Sequence, residues 1–506
     1  MAFPRSSGIL LHISSLPSRF GIGDLGGEAY SFAELLAGTG QRLWQILPLG
    51  PTGYVNSPYQ CLSAFAGNPL FLSLDKLAEE GLLEDAELEN APVFPRESVD
   101  YGAVIKFKMP LLRKSFERFR RKASGEEQRQ FELFCHRNAS WLESYALFMA
   151  LKDAHSLTAW NTWEEGLRRR EAPIIERWKE RLSSDIEYHQ YLQYQFFRQW
   201  CELKTYCNGL GIRFIGDMPL FVALDSAEVW SHPEMFHLDE SGKPTVVAGV
   251  PPDYFSKTGQ LWGNPTYRWD VMAKDGYSWW VQRFRVLYQL VDIVKIDHFR
   301  GLEKHWEVPY GMTTAIHGRW VSGPGAAFFN ALQQGLGAMP IIVEDLGTIT
   351  PEVEALRETF GFPGMRVLQF AFDGDPKNIH LPHNYPRNCV VYTGTHDNNT
   401  IVGWFKGEDV EYTTQSKEER KREVQFALRY LGTQGHEINW DFIRLALMSV
   451  ADVAIIPLQD VVGLGGEARM NVPGRAEGNW RWRFTFDAVS DEIKRRLKEL
   501  TTIYGR

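Results

Sequence analysis

Short apolar runs bounded by turn residues recur along the chain. Within each run Val, Ile and Leu are nearly continuous, which is typical of parallel strands that are covered on both faces. Eight such runs begin near residues 8, 43, 212, 291, 340, 365, 389 and 453, with the sequences GILLHI, LWQILPL, IRFIGDMPLF, VDIVKID, PIIVEDLG, MRVLQFAF, CVVYTGTHD and VAIIPLQD.

Amphipathic segments with helical spacing lie between most of these runs. Eight buried strands that alternate with helices predict an α/β fold, specifically a (β/α)8 TIM barrel over residues 1–506 as a single catalytic unit. The clearest helical segments are Glu28–Ala37, Tyr188–Cys207, Ser278–Leu290, Pro351–Phe360, Lys417–Tyr430 and Asp491–Leu500.

Two connections are too long for simple crossovers between strands. Residues 51–187 contain helical patterns such as Glu126–Asp153, and residues 222–277 contain the aromatic stretch VAGVPPDYFSKTGQLWGNPTYRW. We interpret the first as a mostly helical insertion and the second as a loop region covering the active site. Both are expected at the C-terminal face of the barrel, where TIM barrels carry their catalytic groups.

The composition excludes several classes of partner. The formal net charge is −8 with no long run of one sign, whereas nucleic-acid binding requires a basic stripe. No window approaches the ~18 apolar residues of a membrane helix, and the apolar stretch Gly8–Ile13 is too short for a signal peptide. Five scattered cysteines without a CxxC pair favour reduced thiols, and therefore a cytoplasmic location.

Acidic residues follow the apolar runs at the positions where barrel strands end. A single acid there usually caps a helix or pairs with Arg, but six around one rim require a chemical reason or compensating cations. Retaining glycoside cleavage uses such a set, with one carboxylate as nucleophile and one carboxylic acid as proton donor. These six acids are Asp217, Asp297, Glu344, Asp345, Asp397 and Asp460.

Other catalytic signatures are missing from the sequence. There is no Walker A motif, HExxH, GxSxG or strand-linked GxGxxG. We therefore expect no metal and no organic cofactor. Aromatic residues in Gly/Pro-rich loops are candidates for stacking on sugar rings. They are Tyr54, Tyr59, Tyr254, Trp262 and Tyr267.

Longer motifs resemble a known family along nearly the whole chain. They include SSGILLHISSLPS, GPTGYVNSPYQ, FIGDMPLFVALDSAEVW, IVKIDHFRG, PIIVEDLG, VVYTGTHDNNT and PLQDVVGLGGEARMNVPG. The sequence resembles the amylomaltases or disproportionating enzymes, 4-α-glucanotransferases of glycoside hydrolase family 77 in the α-amylase clan. The sequence after the eighth predicted unit is too short for the C-terminal β-sandwich of most α-amylases.

The resemblance implies roles for individual residues. Asp297 resembles the nucleophile, Glu344 the general acid/base, and Asp397 the third carboxylate, which holds sugar hydroxyls. The groups that resemble substrate-binding positions are Tyr54, Tyr59, Asp217, Asp253, Gln260, Trp262, Asn264, Lys295, His298 and His396.

One residue departs from the clan pattern. Lys295 stands where Arg is usual, two residues before the nucleophile. Lysine keeps the positive charge but loses the planar, two-pronged hydrogen bonding of Arg.

The resemblance implies transfer of α-1,4-glucan segments to the 4-hydroxyl of a glucan or of glucose, through a covalent glycosyl-enzyme. An α-amylase-like hydrolase is an alternative, since the residues that cleave do not distinguish transfer from hydrolysis. A non-catalytic glucan-binding protein is a second alternative, against which the retention of all three carboxylates argues.

Overall fold

Eight parallel strands form the centre of the molecule in this computed structural model, which describes residues 3–253 and 256–506. Each of the eight predicted apolar runs overlaps one of them. The strands of the described ranges, numbered in chain order, are β1 (Ser6–Leu10), β2 (Leu43–Ile46), β3 (Arg213–Met218), β4 (Val246–Val250), β5 (Gln260–Pro265), β6 (Ile293–Ile296), β7 (Lys304–Pro309), β8 (Arg319–Ser322), β9 (Ile341–Val343), β10 (Gly364–Val367), β11 (Cys389–Tyr392) and β12 (Val453–Pro457).

The barrel strands follow the order β10-β11-β12-β1-β2-β3-β6-β9, all parallel. The two ends of this sheet meet where the Val343 amide donates to the Pro363 carbonyl at 3.0 Å. Every barrel-strand residue except Arg213 at the start of β3 is buried, as the continuous apolar pattern predicted. The TIM-barrel prediction is confirmed.

Helices surround the barrel and fill the long connection between β2 and β3. Ser278–Leu290 matches its predicted bounds, and the pattern Glu126–Asp153 divides into two helices at Asn138. The α-helices of the described residues are Gly27–Gly38, Leu74–Glu79, Asp85–Glu89, Tyr101–Lys122, Gly125–Arg137, Ala139–Ala154, Glu165–Arg168, Ala172–Arg181, Ser183–Gly209, Ala227–Ser231, Trp269–Met272, Ser278–Leu290, Gly325–Leu336, Pro351–Thr359, Ile401–Lys406, Lys417–Leu431, Ile438–Met448, Leu458–Val462 and Asp491–Ile503.

One long helix crosses the predicted end of the first insertion. Ser183–Gly209 begins before residue 187 and continues without a break to the turn that precedes β3. The insertion and the barrel therefore share this helix. Within the described residues, no helix is both long and apolar enough to span a lipid bilayer.

A second sheet stands over the barrel mouth, and two of its strands, β4 and β5, lie within residues 222–277, which we predicted as a loop region. Strands β4 and β5 pair antiparallel, and β4 also pairs with β7, which pairs with β8. The interpretation of residues 222–277 as a loop region was therefore wrong for β4 and β5. Gly263 and Pro265 interrupt the β5 pattern, since both residues are depleted in strands.

Candidate active site

A cleft of about 830 Å³ opens at the C-terminal ends of the barrel strands, beneath the second sheet. It brings together residues that are far apart in sequence, including all three predicted catalytic carboxylates. The predicted residues that line it are Tyr59, Asp253, Gln260, Trp262, Asn264, Asp297, His298, Glu344, His396 and Asp397.

The Lys295 ammonium lies beneath this cleft and joins three carboxylates. Its Nζ is 2.9 Å from Asp217 Oδ2, 2.8 Å from Glu344 Oε2 and 3.6 Å from Asp297 Oδ1. The Lys295 and Asp217 side chains are almost fully buried, so they support the cleft from below. Burial alone would lower the pKa of Lys295, but Asp217, Glu344 and Asp297 together raise it well above its usual value.

Asp297 and Glu344 lie at the ends of neighbouring strands, β6 and β9. The backbone fixes both, because the Asp297 amide donates to Met218 O at 3.0 Å and the Glu344 amide to Ile296 O at 2.9 Å. Glu344 Oε2 and Asp297 Oδ1 cannot be farther apart than their two distances to Lys295 Nζ combined. This limit on one pair of oxygens, together with the hydrogen bond between the two carboxyl groups, favours the ~5–5.5 Å carboxyl separation of retaining glycosidases over the ~6.5–9.5 Å of inverting ones.

The two carboxyl groups differ in their affinity for a proton. Burial and the Glu344 charge raise the pKa of Asp297 well above its usual value. Burial also acts to raise the pKa of Glu344, but the charge and direct hydrogen bond of Lys295 outweigh it and lower that pKa. A hydrogen bond between Asp297 and Glu344 adds to this difference, because it raises the pKa of Asp297 and lowers that of Glu344. When the pair holds a single proton, Asp297 therefore binds it more tightly than Glu344 does.

Asp397 is held ionised on the opposite wall of the cleft. Burial would raise its pKa, but His396 and Asn471 lower it to about 2. His396 Nε2 lies 3.2 Å from Asp397 Oδ1, and Asn471 Nδ2 donates to the same oxygen at 2.7 Å. The His396 ring stacks on Tyr59 with centroids 4.9 Å apart, and the Tyr59 hydroxyl donates to Asp217 at 2.8 Å.

His298 directly follows Asp297 and has a left-handed backbone, with φ of 53°. Burial lowers the pKa of His298 to about 4, so its ring is neutral at physiological pH. Its Nε2 is buried and has no hydrogen-bond partner among the residues described. The ring meets Trp262 edge to face at 4.8 Å, which fixes its orientation.

The remaining predicted binding residues form a chain of hydrogen bonds along β5. Trp262 Nε1 donates to Gln260 Oε1 at 3.3 Å, and Gln260 Nε2 donates to Asp253 Oδ2 at 2.7 Å. Asn264 is buried and uses its amide within the protein, donating to Val222 O and accepting from Gln60 Nε2.

Besides Asp217, which is buried beneath the cleft, two more of the six predicted rim acids do not face it. Asp345 turns into the barrel wall, where it pairs with Arg357 and Arg366. Gly364 is required beside it, because a Cβ there would collide with the Asp345 carboxylate. Asp460 is buried below the mouth and accepts from Thr393 Oγ1 at 2.6 Å and Ile401 N at 2.8 Å.

Tyr267, one of the loop aromatics that were candidates for stacking on sugar rings, does not reach the cleft. It is buried, and its hydroxyl donates to the Leu220 carbonyl. The Tyr54 side chain and Tyr254 lie outside the residues that the structure describes.

Three polar residues of the site were missed in the sequence. Asn471 and Arg469 hold Asp397, the first through its carboxylate and the second through its backbone carbonyl at 2.6 Å. Gln60 bridges to Asn264 on β5. All three lie inside motifs that carried the family resemblance, but spacing alone does not connect them to partners so distant in sequence. The described residues contain no group of three or more His, Cys, Asp or Glu arranged to hold a metal ion.

The chain is similar to known proteins in both sequence and structure. A family described as 4-alpha-glucanotransferase, glycoside hydrolase family 77, matches residues 11–488. The 4-alpha-glucanotransferase of Thermus thermophilus is 52% identical over 508 residues, covering 99% of both chains. That of Synechocystis is 51% identical over 506 residues, covering 99% of this chain and 98% of the relative. The structure of amylomaltase from Streptococcus agalactiae in complex with acarbose matches with a TM-score of 0.93 and 38% identity over 99% of both chains. The chain therefore belongs to the 4-alpha-glucanotransferase family, glycoside hydrolase family 77.

Proposed function

We propose that this protein transfers α-1,4-glucan segments by a retaining double displacement in which Asp297 is the nucleophile and Glu344 the acid/base. The observation that carries the proposal is the shared contact of both carboxyl groups with Lys295 Nζ. This contact keeps the two carboxyl groups close together, which favours the covalent, retaining route over the water-mediated inverting route.

In the first step, Asp297 forms a bond to the anomeric carbon while the bond from that carbon to the glycosidic oxygen breaks. Glu344 gives its proton to the departing oxygen. In the free enzyme Asp297 binds a proton more tightly than Glu344, so substrate binding must reverse this preference. The proton passes from Asp297 to Glu344 along the hydrogen bond between the two carboxyl groups. Contact of Glu344 with the glycosidic oxygen favours this transfer.

Other residues stabilise the sugar as positive charge develops on it. Asp397, held ionised by His396 and Asn471, accepts hydrogen bonds from sugar hydroxyls, and its negative charge stabilises an oxocarbenium-like transition state. His298, which lines the cleft, is placed to hydrogen-bond a further hydroxyl. Lys295 and Asp217 act from beneath by fixing Glu344 and Tyr59.

In the second step, a 4-hydroxyl attacks the anomeric carbon and the bond to Asp297 breaks, while Glu344 removes the hydroxyl proton. The acceptor is the non-reducing end of another glucan or free glucose. The acarbose complex of the Streptococcus agalactiae amylomaltase supports a sugar ligand in this cleft.

Incubation of the purified protein with maltotriose tests the proposal. Transfer produces glucose together with a ladder of longer maltooligosaccharides. Shorter products alone would identify an α-amylase-like hydrolase, and no change would identify a glucan-binding protein. The Asp297→Asn variant is the control, because it removes the nucleophile and preserves the size of the side chain.

The proposal includes the organisation and location of the chain. We retain one catalytic barrel with insertions near residues 51–187 and 222–277 that build the walls of the cleft. A cytoplasmic location is supported by five free thiols, of which Cys207 and Cys389 are buried.

A further inference from the structure

The second sheet presents a tryptophan to the cleft that no step above uses. Trp320 lies on the edge strand β8, opposite Trp306 of β7. It lines the same cavity as Asp297 and Glu344, and its side chain is 38% exposed. Leu261 of β5 is equally exposed and also lines the cavity, so this sheet forms an apolar part of the cleft wall.

The Trp320 ring is held in place from behind. The Arg300 guanidinium carbon lies 3.8 Å from the ring centroid and covers one ring face. Arg300 is itself buried and donates to the carbonyls of Thr348 and Lys304. The Trp306 ring meets Trp320 at 5.1 Å and 65°. The exposed ring therefore loses little conformational freedom when a ligand stacks on it.

This support belongs to the segments that carry the catalytic carboxyl groups. Arg300 follows Asp297 by three residues and Thr348 follows Glu344 by four. The ring thus stands beside the reacting centre, in the same continuous cavity, without touching either carboxylate. A glucan bound at the cleavage point can therefore place another of its glucosyl units on Trp320.

We propose that Trp320 is a stacking platform for a glucosyl unit remote from the bond that is cleaved, and that it makes the enzyme prefer long glucan segments. The C–H face of a pyranose suits a flat indole ring, and the Arg300 guanidinium on the covered face holds that ring in place. The continuity of the cleft identifies the occupant as the glucan already bound. The inference rests on the proposed glucan transfer.

The test is the chain-length dependence of kcat/KM from maltotriose to maltoheptaose and short amylose. In Trp320→Ala, we expect the ratio of kcat/KM for maltoheptaose to that for maltotriose to fall about three- to ten-fold, mostly through KM. Trp320→Phe keeps a flat ring and should recover most of the ratio. In an Asp297→Asn background, calorimetry should show a similar fall in maltoheptaose affinity on Trp320→Ala.

Tyr310→Ala is the matched control, because Tyr310 directly follows β7, is 50% exposed and is not part of the cavity lining. It should leave the ratio at the wild-type value. An unchanged ratio in Trp320→Ala overturns the inference, including the case in which both substrates slow equally because Arg300 has shifted. A wild-type enzyme that does not disproportionate maltotriose would instead refute the glucan transfer itself.

Discussion

Replacing Lys295 by Met removes the cation that three buried carboxylates share. At the observed 2.8–3.6 Å, each attraction is worth about 4–6 kcal/mol at an effective dielectric constant of ~20. This corresponds to an upper limit of about three to four pKa units per carboxyl group. Asp297 reacts only when ionised, and its active form is present above its pKa and lost as the pH falls through it. Its pKa is already raised, and losing Lys295 raises it further.

We therefore expect the acid limb of the kcat/KM profile to move about one to three pH units upward in Lys295→Met. At pH 6 the rate should fall about 10- to 1000-fold, with partial recovery at alkaline pH. Removing one partner from a buried ion pair typically costs 3–5 kcal/mol of stability, so the melting temperature should fall as well.

The assay is initial glucose release from maltotriose between pH 4 and 9, with the melting temperature recorded at each pH. Lys295→Arg is the matched control. It keeps the charge and should keep the acid limb, with a rate loss of no more than about ten-fold from its different geometry. A folded Lys295→Met enzyme with the wild-type acid limb would refute the role given to this ammonium.

Three further outcomes follow from the site. Asp297→Asn should lower the transfer rate by at least about 10³-fold without unfolding the protein. Glu344→Gln should still react with α-glucosyl fluoride, because the fluoride leaving group needs no proton. An equal loss of activity on α-glucosyl fluoride in both variants would contradict these roles. Exhaustive chelation should leave the rate unchanged, and a loss restored by calcium would contradict this. Burial raises the pKa of Asp460 from 3.8 to about 6, so its ionisation destabilises the fold as pH rises through 6. Asp460→Asn should therefore stabilise the protein more at pH 8 than at pH 5, by about 1–3 kcal/mol in the free energy of unfolding, and its melting temperature should rise more at pH 8. An equal change at both pH values would contradict this prediction.

The barrel could be predicted because its strands are buried on both faces. Continuous apolar runs such as those at β9 and β12 have few other structural solutions, and the helices between them show the expected period. The second sheet lacks this signal. Lys304–Pro309 mixes polar and apolar residues without a regular alternation, and its buried positions include His305 and Glu307; β5 contains Gly and Pro.

The positions of the acids along the chain predicted which strands carry chemistry, but not the direction of each side chain. Asp345 follows Glu344 directly, and neighbouring residues in extended backbone point to opposite sides. One therefore enters the cleft and the other the barrel wall. Asp460 lies in the short helix Leu458–Val462 beyond β12, which turns its carboxylate inward. Only the assembled barrel shows these directions.

Transfer to sugar in place of hydrolysis depends on how the cleft treats water. In the proposed mechanism, once Asp297 holds the glycosyl unit, Glu344 can deprotonate water or a sugar hydroxyl equally well. Positioning of a bound acceptor is worth up to ~7–11 kcal/mol, which exceeds the advantage of bulk water. Trp262 is placed to supply this positioning, because it joins the hydrogen-bonded Gln260 and Asp253 to the His298 ring beside the nucleophile.

Trp262→Ala should raise the ratio of hydrolysis to transfer about ten-fold, since it opens the cleft wall to water and frees the His298 ring. Deleting residues between Ser256 and Asn264 is a poorer test, because the structure shows that it would remove most of β5 and disrupt the second sheet. Trp262→Phe is the matched control and should keep most of the wild-type ratio. Initial glucose transfer and release of new reducing ends are measured together on maltotriose. If Trp262→Ala remains folded and its ratio equals that of the wild type, then the barrel itself, and not this wall of the cleft, selects sugar over water.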